Sequence, residues 1–140
     1  MTKRIFFDAS ILIDLVNAGN ELYEETLFLF DHFLRNKSQF YCSPTSFANT
    51  CFFLNKKIKN VQKLNQASRK VFSGFIFTRE DSIIIDKVMK SDFMDLEDAL
   101  QYYSAIDSDV NIIITKNFFD LKKSSIPVYH PSQYINEFLI

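Results

Sequence analysis

Short, uninterrupted apolar runs alternate along this chain with longer stretches in which apolar residues recur every three or four positions. The first kind reads as strands buried on both faces, the second as amphipathic helices. Ile5, Phe6 and Phe7 form the first run. A short helix is expected from 11 to about 17 and a turn at Ala18, Gly19 and Asn20. A wide helical stripe follows, with Leu22, Thr26, Leu29 and Phe33 flanked by Tyr23, Leu27, Phe30 and Leu34. A second strand is predicted over 39–42. Ser43 and Pro44 then open a helix, serine as N-cap and proline at its first position, with Phe47, Cys51, Leu54 and Ile58 on the apolar face. The next helix sets Val61, Leu64, Ser68, Val71 and Phe72 against Gln62, Lys63, Gln66, Arg69 and Lys70, and Gly74 ends it.

A third strand is expected over 75–78. A helix over 81–90 should turn Ile84, Ile85, Val88 and Met89 inward, and one over 95–107 should bury Leu96, Ala99, Leu100, Tyr103 and Ile106. The fourth strand falls at 111–115. A short fifth at 126–129 belongs at an edge, because Pro127 has no N–H to donate. A closing helix covers 131–139. Strands alternating with helices predict an α/β fold, three layers deep (α/β/α), on a mostly parallel central sheet of about four to five strands. With 140 residues, the chain reads as a single domain over 1–140.

Composition supports a packed core: 47% of residues are hydrophobic and sixteen are phenylalanine, against two glycines and three prolines. The basic start Met1-Thr2-Lys3-Arg4 is followed by an apolar stretch that Asp8 and Asp14 interrupt, so no signal-peptide core forms and no span crosses a membrane. A cytoplasmic location follows as the expectation, with Cys42 and Cys51 as reduced, buried thiols. The net charge of −1 is unevenly spread. Between His32 and Arg79 there is no acid, while Arg35, Lys37, Lys56, Lys57, Lys59, Lys63, Arg69 and Lys70 lie there; from Glu80 to Asp109 only Lys87 and Lys90 offset the acids. Such segregation suits a cation held in one region and a polyanion in another, and equally suits two solvated helix faces.

The acids have a geometry of their own. In a parallel α/β sheet, ligands bind beyond the carboxyl ends of the strands. Asp8 directly follows the first strand, and the loop with Asn117 and Asp120 follows the fourth. The helix carrying Asp98 precedes a strand, so it starts at that same rim. Asn49 lies little more than one turn into the helix after the second strand. Four segments thus offer oxygen ligands to one volume, and a cation relieves the repulsion of clustered carboxylates. An oxygen donor set suits Mg²⁺ or Mn²⁺. Zinc is disfavoured, because His32 and His130 lack a second histidine or cysteine at ligand spacing. Helix capping competes as a role for Asp95 and Asp98, and turn bonding for Asp120. Asp8 has no such structural role, since a carboxylate directly after a buried strand is unfavourable without a partner.

Four pieces, Phe6-Phe7-Asp8-Ala9-Ser10-Ile11-Leu12-Ile13-Asp14-Leu15, Ser43-Pro44-Thr45-Ser46-Phe47-Ala48-Asn49, Asp95-Leu96-Glu97-Asp98-Ala99-Leu100-Gln101 and Ile114-Thr115-Lys116-Asn117-Phe118-Phe119-Asp120, together resemble the PIN domain in order and spacing. That is the fold of many metal-dependent ribonucleases, including toxins of bacterial toxin-antitoxin pairs, and the resemblance covers nearly the whole chain. It implies that Asp8, Asp98 and Asp120 hold Mg²⁺ or Mn²⁺, and that RNA is cut to a 5′-phosphate product. Asn49 stands where glutamate is usual and Asn117 where aspartate is common. Both keep an oxygen and lose a charge, as in a branch of the family with asparagine for the second acid.

On this reading Ser10 and Thr115 support Asn49 and Asn117 in orienting waters or phosphate oxygens. Asp95 restores some negative charge, and Lys56, Lys57, Lys59, Lys63, Arg69 and Lys70 meet the RNA backbone. The resemblance further implies an antitoxin protein as partner and a homodimer. The alternative is a catalytically weakened RNA- or protein-binding module, in which Tyr41, Phe47, Phe52 and Phe53 stack on bases. A receiver domain fits less well, since no acid directly follows the second or third strand. A haloacid dehalogenase-type phosphatase would need an aspartate at position 10, which is Ser10.

Overall fold

In this computed structural model, residues 2–16, 23–117 and 124–140 are described. The expected turn at 18–20, Leu22 and Asp120 lie outside them. The apolar runs form strands β1 (Arg4–Phe7), β2 (Gln39–Cys42), β3 (Phe75–Phe77), β4 (Ile112–Ile114) and β5 (Val128–Tyr129). They pair in parallel in the order β3-β2-β1-β4-β5. Ile5 lies opposite both Phe40 and Ile112. As anticipated from Pro127, β5 is an edge strand; β3 forms the other edge.

The helices are α1 (Ala9–Val16), α2 (Tyr23–Arg35), α3 (Pro44–Lys57), α4 (Val61–Phe72), α5 (Ser82–Lys90), α6 (Leu96–Asp107) and α7 (Pro131–Tyr134), the last running on into a wider π-type turn, Ile135–Leu139. Side chains alternate along a strand, so β1 faces both outer layers. Ile5 and Phe7 join Ile11, Leu12, Leu29, Phe33 and Phe72 on one side. Phe6 joins Val88, Phe93, Ala99, Tyr102 and Ala105 on the other. The Phe7 ring meets those of Phe33, Phe40 and Phe75 edge to face. This is the three-layer α/β/α arrangement with a central parallel sheet.

Several positions on the expected apolar helix faces are exposed instead, Leu34 and Val61 among them. Ile85, Met89 and Leu96 are exposed by 42%, 70% and 56%, although the helical pattern placed them inward. The helix containing Ile85 and Met89 lies mainly against α6, so a narrower stripe, Ile84 and Val88, suffices to seal it. Leu96 opens α6 at the rim. The chain leaves α4 through Ser73, and Gly74 follows with φ +86°, a left-handed conformation that glycine adopts without strain. Cys42 is buried and Cys51 half-buried, both as free thiols; burial, aided by the charge of Glu80, pushes the Cys42 thiol up to about 12. Among the described residues no helix is long and apolar enough to cross a membrane.

Candidate metal centre

Going from β1 the chain moves to β2 and β3 on one side of the sheet, then to β4 and β5 on the other. The strand order therefore reverses between β1 and β4, the place where a parallel α/β sheet opens a crevice at its carboxyl edge. Asp8 and Thr115 are the residues that follow these two strands, and both are buried. The Asp8 carbonyl accepts the N–H groups of Ile11 and Leu12 at 3.1 and 3.3 Å, so the start of α1 fixes its backbone. Ser10 Oγ donates to Asp8 Oδ1, and Thr115 Oγ1 donates to Asp8 Oδ2. Thr115 Oγ1 also accepts the Asn117 N–H at 3.0 Å, while Ser10 Oγ accepts the Lys116 N–H at 3.3 Å. Two hydroxyls thus lock the carboxylate and tie it to the loop after β4.

Burial pushes the Asp8 carboxyl above its ordinary range, and these hydrogen bonds only partly offset that. Asp98, in the first turn of α6, is raised to about 6 by its own partial burial and by the charges of Asp95, Asp8 and Glu97. Asp95 is the N-cap of that helix and accepts the Asp98 N–H at 3.0 Å. The capping role and the charged role coexist in it. Among the described residues, no lysine or arginine pairs with Asp8 or Asp98. A buried acid whose charge opposes the ionisation of a second, with no lysine or arginine paired to either among the described residues, matches what Mg²⁺ or Mn²⁺ requires: one or two carboxylates, the remaining positions going to water. No three acidic, histidine or cysteine side chains among the described residues converge on one point. Asp8 and Asp98 by themselves suit a hydrated hard cation.

A family model described as the PIN domain matches residues 4–118. The chain belongs to the PIN-domain family. Its fold is similar to that of a toxin-antitoxin complex from Klebsiella pneumoniae, with 21% identity, a TM-score of 0.67, and 91% of this chain and 97% of the other covered. It is also similar to Mycobacterium tuberculosis VapC20, described as a toxin that cleaves the sarcin-ricin loop, with 16% identity, a TM-score of 0.61, and 78% and 86% of the two chains covered. A third likeness is to VapBC2 of Rickettsia felis bound to a promoter DNA fragment, with 14% identity, a TM-score of 0.63, and 91% and 98% covered. No curated protein matches the chain by sequence.

Within this PIN domain, Asn49 on α3 donates through Nδ2 to Glu97 Oε1 on α6 at 3.1 Å. Asn117 is exposed beside Thr115. The basic residues Lys56, Lys57, Lys59, Lys63, Arg69 and Lys70 are all exposed, on the hairpin made by α3 and α4. Lys56 lies about 10 Å farther along the α3 axis than Asn49, given the helical rise. Lys56 Nζ sits 4.5 Å from the centre of the exposed Phe52 ring. His130 caps α7, its Nδ1 accepting the Ser132 N–H at 3.1 Å. A groove of about 730 Å³, lined by Phe47, Phe72 and Phe77, lies between α3, α4 and β3. Its lining has no carboxylate, so the acid chemistry is elsewhere.

The sequence reading assigned no individual role to three residues. Asp14 is fully buried on α1 and its Oδ1 accepts Lys116 Nζ at 2.9 Å. A lone acid in the otherwise apolar stripe of Ile11, Leu12 and Leu15 was the available signal. Gln101 is buried, and its Oε1 accepts the hydroxyls of Ser43 and Ser46, each at 2.9 Å. Glu97 reaches Asn49 across a separation of 48 positions, which no local pattern announces.

Proposed function

We propose that this PIN domain is a divalent-metal-dependent endoribonuclease that hydrolyses RNA phosphodiester bonds, and that it is the toxin of a toxin-antitoxin pair acting in the cytoplasm. The observation that carries the reading is the Asp8–Asp98 pair at the sheet's switch point: buried or half-buried, the charge of Asp8 opposing the ionisation of Asp98, and without a neutralising lysine or arginine among the described residues. The fold shared with VapC20 and with toxin-antitoxin complexes supports it.

Asp8 and Asp98, with Asp120 assigned from the sequence alone, would hold Mg²⁺ or Mn²⁺. Such an ion supplies charge neutralisation at a scissile phosphate and lowers the pKa of a water. The protein's own contribution is orientation. Ser10 and Thr115 hold the Asp8 carboxylate in one rotamer, so little reorganisation accompanies ion binding. Asp95 adds negative charge at the mouth of the site while fixing the start of α6. Asn49 and Asn117 would orient water or phosphate oxygens. Lys56, Lys57, Lys59, Lys63, Arg69 and Lys70 engage the RNA backbone away from the scissile bond, which makes binding steeply salt-dependent. A small antitoxin protein and self-association as a homodimer belong to the same reading.

The test is cleavage of structured RNA by the purified protein in Mg²⁺ or Mn²⁺, with EDTA and Asp8→Asn as controls. The wild type should cut and both controls should not, with 5′-phosphate ends on the products. Asp8→Asn cutting as well as wild type would falsify the proposal. Saturable RNA binding without cleavage would establish a binding module instead.

A further inference from the structure

Glu97 is the second residue of α6, where a glutamate normally swings in water. Here it is held. Its Oε1 accepts Asn49 Nδ2 at 3.1 Å, a contact between two helices that both begin at the active rim. The capping of α6 needs nothing from it, because Asp95 is the N-cap and takes the Asp98 N–H. Among the described residues no lysine or arginine neutralises it. It adjoins Asp98 in the first turn of that helix. Asn49 spends its amide N–H on this glutamate and brings no charge itself.

We infer that Glu97 is an outer-sphere carboxylate of the divalent-metal site, supplying negative charge to the ion that Asp8 and Asp98 hold, and that Asn49 is the positioning residue that keeps it there. The inference rests on the metal-dependent reading above. Glu97 acts beyond direct ligation, in keeping with the absence of three converging acids among the described residues. Carboxylates in such positions accept hydrogen bonds from an ion's ligands or waters and bias its affinity. The competing role is a neutral clamp between α3 and α6. The two differ in one respect: a clamp needs only an acceptor oxygen at position 97, and the metal role needs its charge.

Glu97→Gln separates them, because the glutamine oxygen still faces Asn49. The experiment is Mn²⁺ titration of the purified full-length chain without RNA, by calorimetry and by the paramagnetic signal of free Mn²⁺. Melting in EDTA serves as a check on folding, and Glu24→Gln, an exposed acid on α2, as a control for overall charge. Glu97→Gln should weaken Mn²⁺ binding about 10- to 100-fold with an unchanged melting temperature, and Glu24→Gln should bind as wild type. Asn49→Ala should lose affinity in the wild-type background and lose nothing further in Glu97→Gln. If Glu97→Gln binds as wild type while Asp8→Asn does not bind, Glu97 is only a clamp and the nuclease reading survives. Additive losses in the double variant overturn the positioning role of Asn49. A wild type that takes up no Mn²⁺ overturns both readings together.

Discussion

Asp14 carries the sharpest local constraint in the molecule. Its side chain is fully buried, Lys116 supplies an ion pair at 2.9 Å to one oxygen, and the other oxygen has no hydrogen-bond partner among the described residues. A buried carboxylate in that state depends heavily on its one cation. Lys116 therefore belongs to the scaffold of the site and is not available to phosphate. It anchors the loop after β4 twice, through Nζ to Asp14 and through its N–H to Ser10. Replacing Lys116 with Met should destabilise the protein by about 3 kcal/mol, the low end for a broken buried pair, since its side chain remains 23% exposed. Urea melts of Lys116→Met and of Asp14→Leu/Lys116→Met provide the check. The double variant should recover most of the loss, because it removes the stranded charge with its partner. A single variant as stable as wild type would mean that Asp14 is already well served without the lysine.

At the scale of elements, the register of α3 against α6 decides whether Asn49 and Asp98 share a volume, and a small buried polar network sets it. Ser43 caps α3 by accepting the Ser46 N–H at 3.0 Å, and both hydroxyls donate to Gln101, one turn beyond Asp98. Glu80 adds a brace, accepting the Thr45 N–H at 2.6 Å. Gln101→Leu removes the acceptor of two buried hydroxyls; Ser43 Oγ can still donate to Ser46 Oγ at 3.1 Å, so one of them is stranded, at about 1 to 3 kcal/mol. It should lower the urea midpoint at unchanged m-value and weaken Mn²⁺ binding, whereas a change at an exposed α5 position such as Met89→Ala should do neither. The start of α3 was legible because serine followed by proline states its own geometry. The strands were legible because runs such as Ile112, Ile113 and Ile114 are apolar on both faces. The convergence of Asp8 and Asp98 followed from the rule that crossover helices start where parallel strands end. Gln101 and Glu97 were not legible. A lone polar residue on a helix has the same local sequence whether it faces water or another helix, and only the crossing of α3 and α6 decides. The inward placement of Ile85 and Met89 failed for the same reason: periodicity gives the direction of a helical stripe, while its width depends on how many neighbours cover it.

Two acids of the candidate site ionise reluctantly, and this makes the stability of the whole molecule depend on pH. Asp98 titrates near 6 in the folded chain against 3.8 for the ordinary carboxyl, and Asp8 is displaced in the same direction. The native state therefore binds more protons than the unfolded state between those values, so the contribution of Asp98 to stability is full below about pH 4, falls as pH rises, and is lost above about 6, with Asp8 acting in the same sense. A divalent cation acts with the opposite sense. It binds the ionised pair, so it stabilises at neutral pH and has little to bind at pH 5. At a free concentration of 100 times Kd the gain is about 2.7 kcal/mol. Melting curves from pH 4 to 8, in EDTA and in Mg²⁺, should thus diverge only above about pH 6. Other titrating groups shift both curves equally, and Asp98→Asn isolates the term of interest: this variant should melt above wild type in EDTA at pH 7.5, match it near pH 4, and lose the response to Mg²⁺. Curves for wild type and Asp98→Asn that run parallel across the whole range would show that the acids at the strand ends are not strained, and the case for a cation between them would go with that.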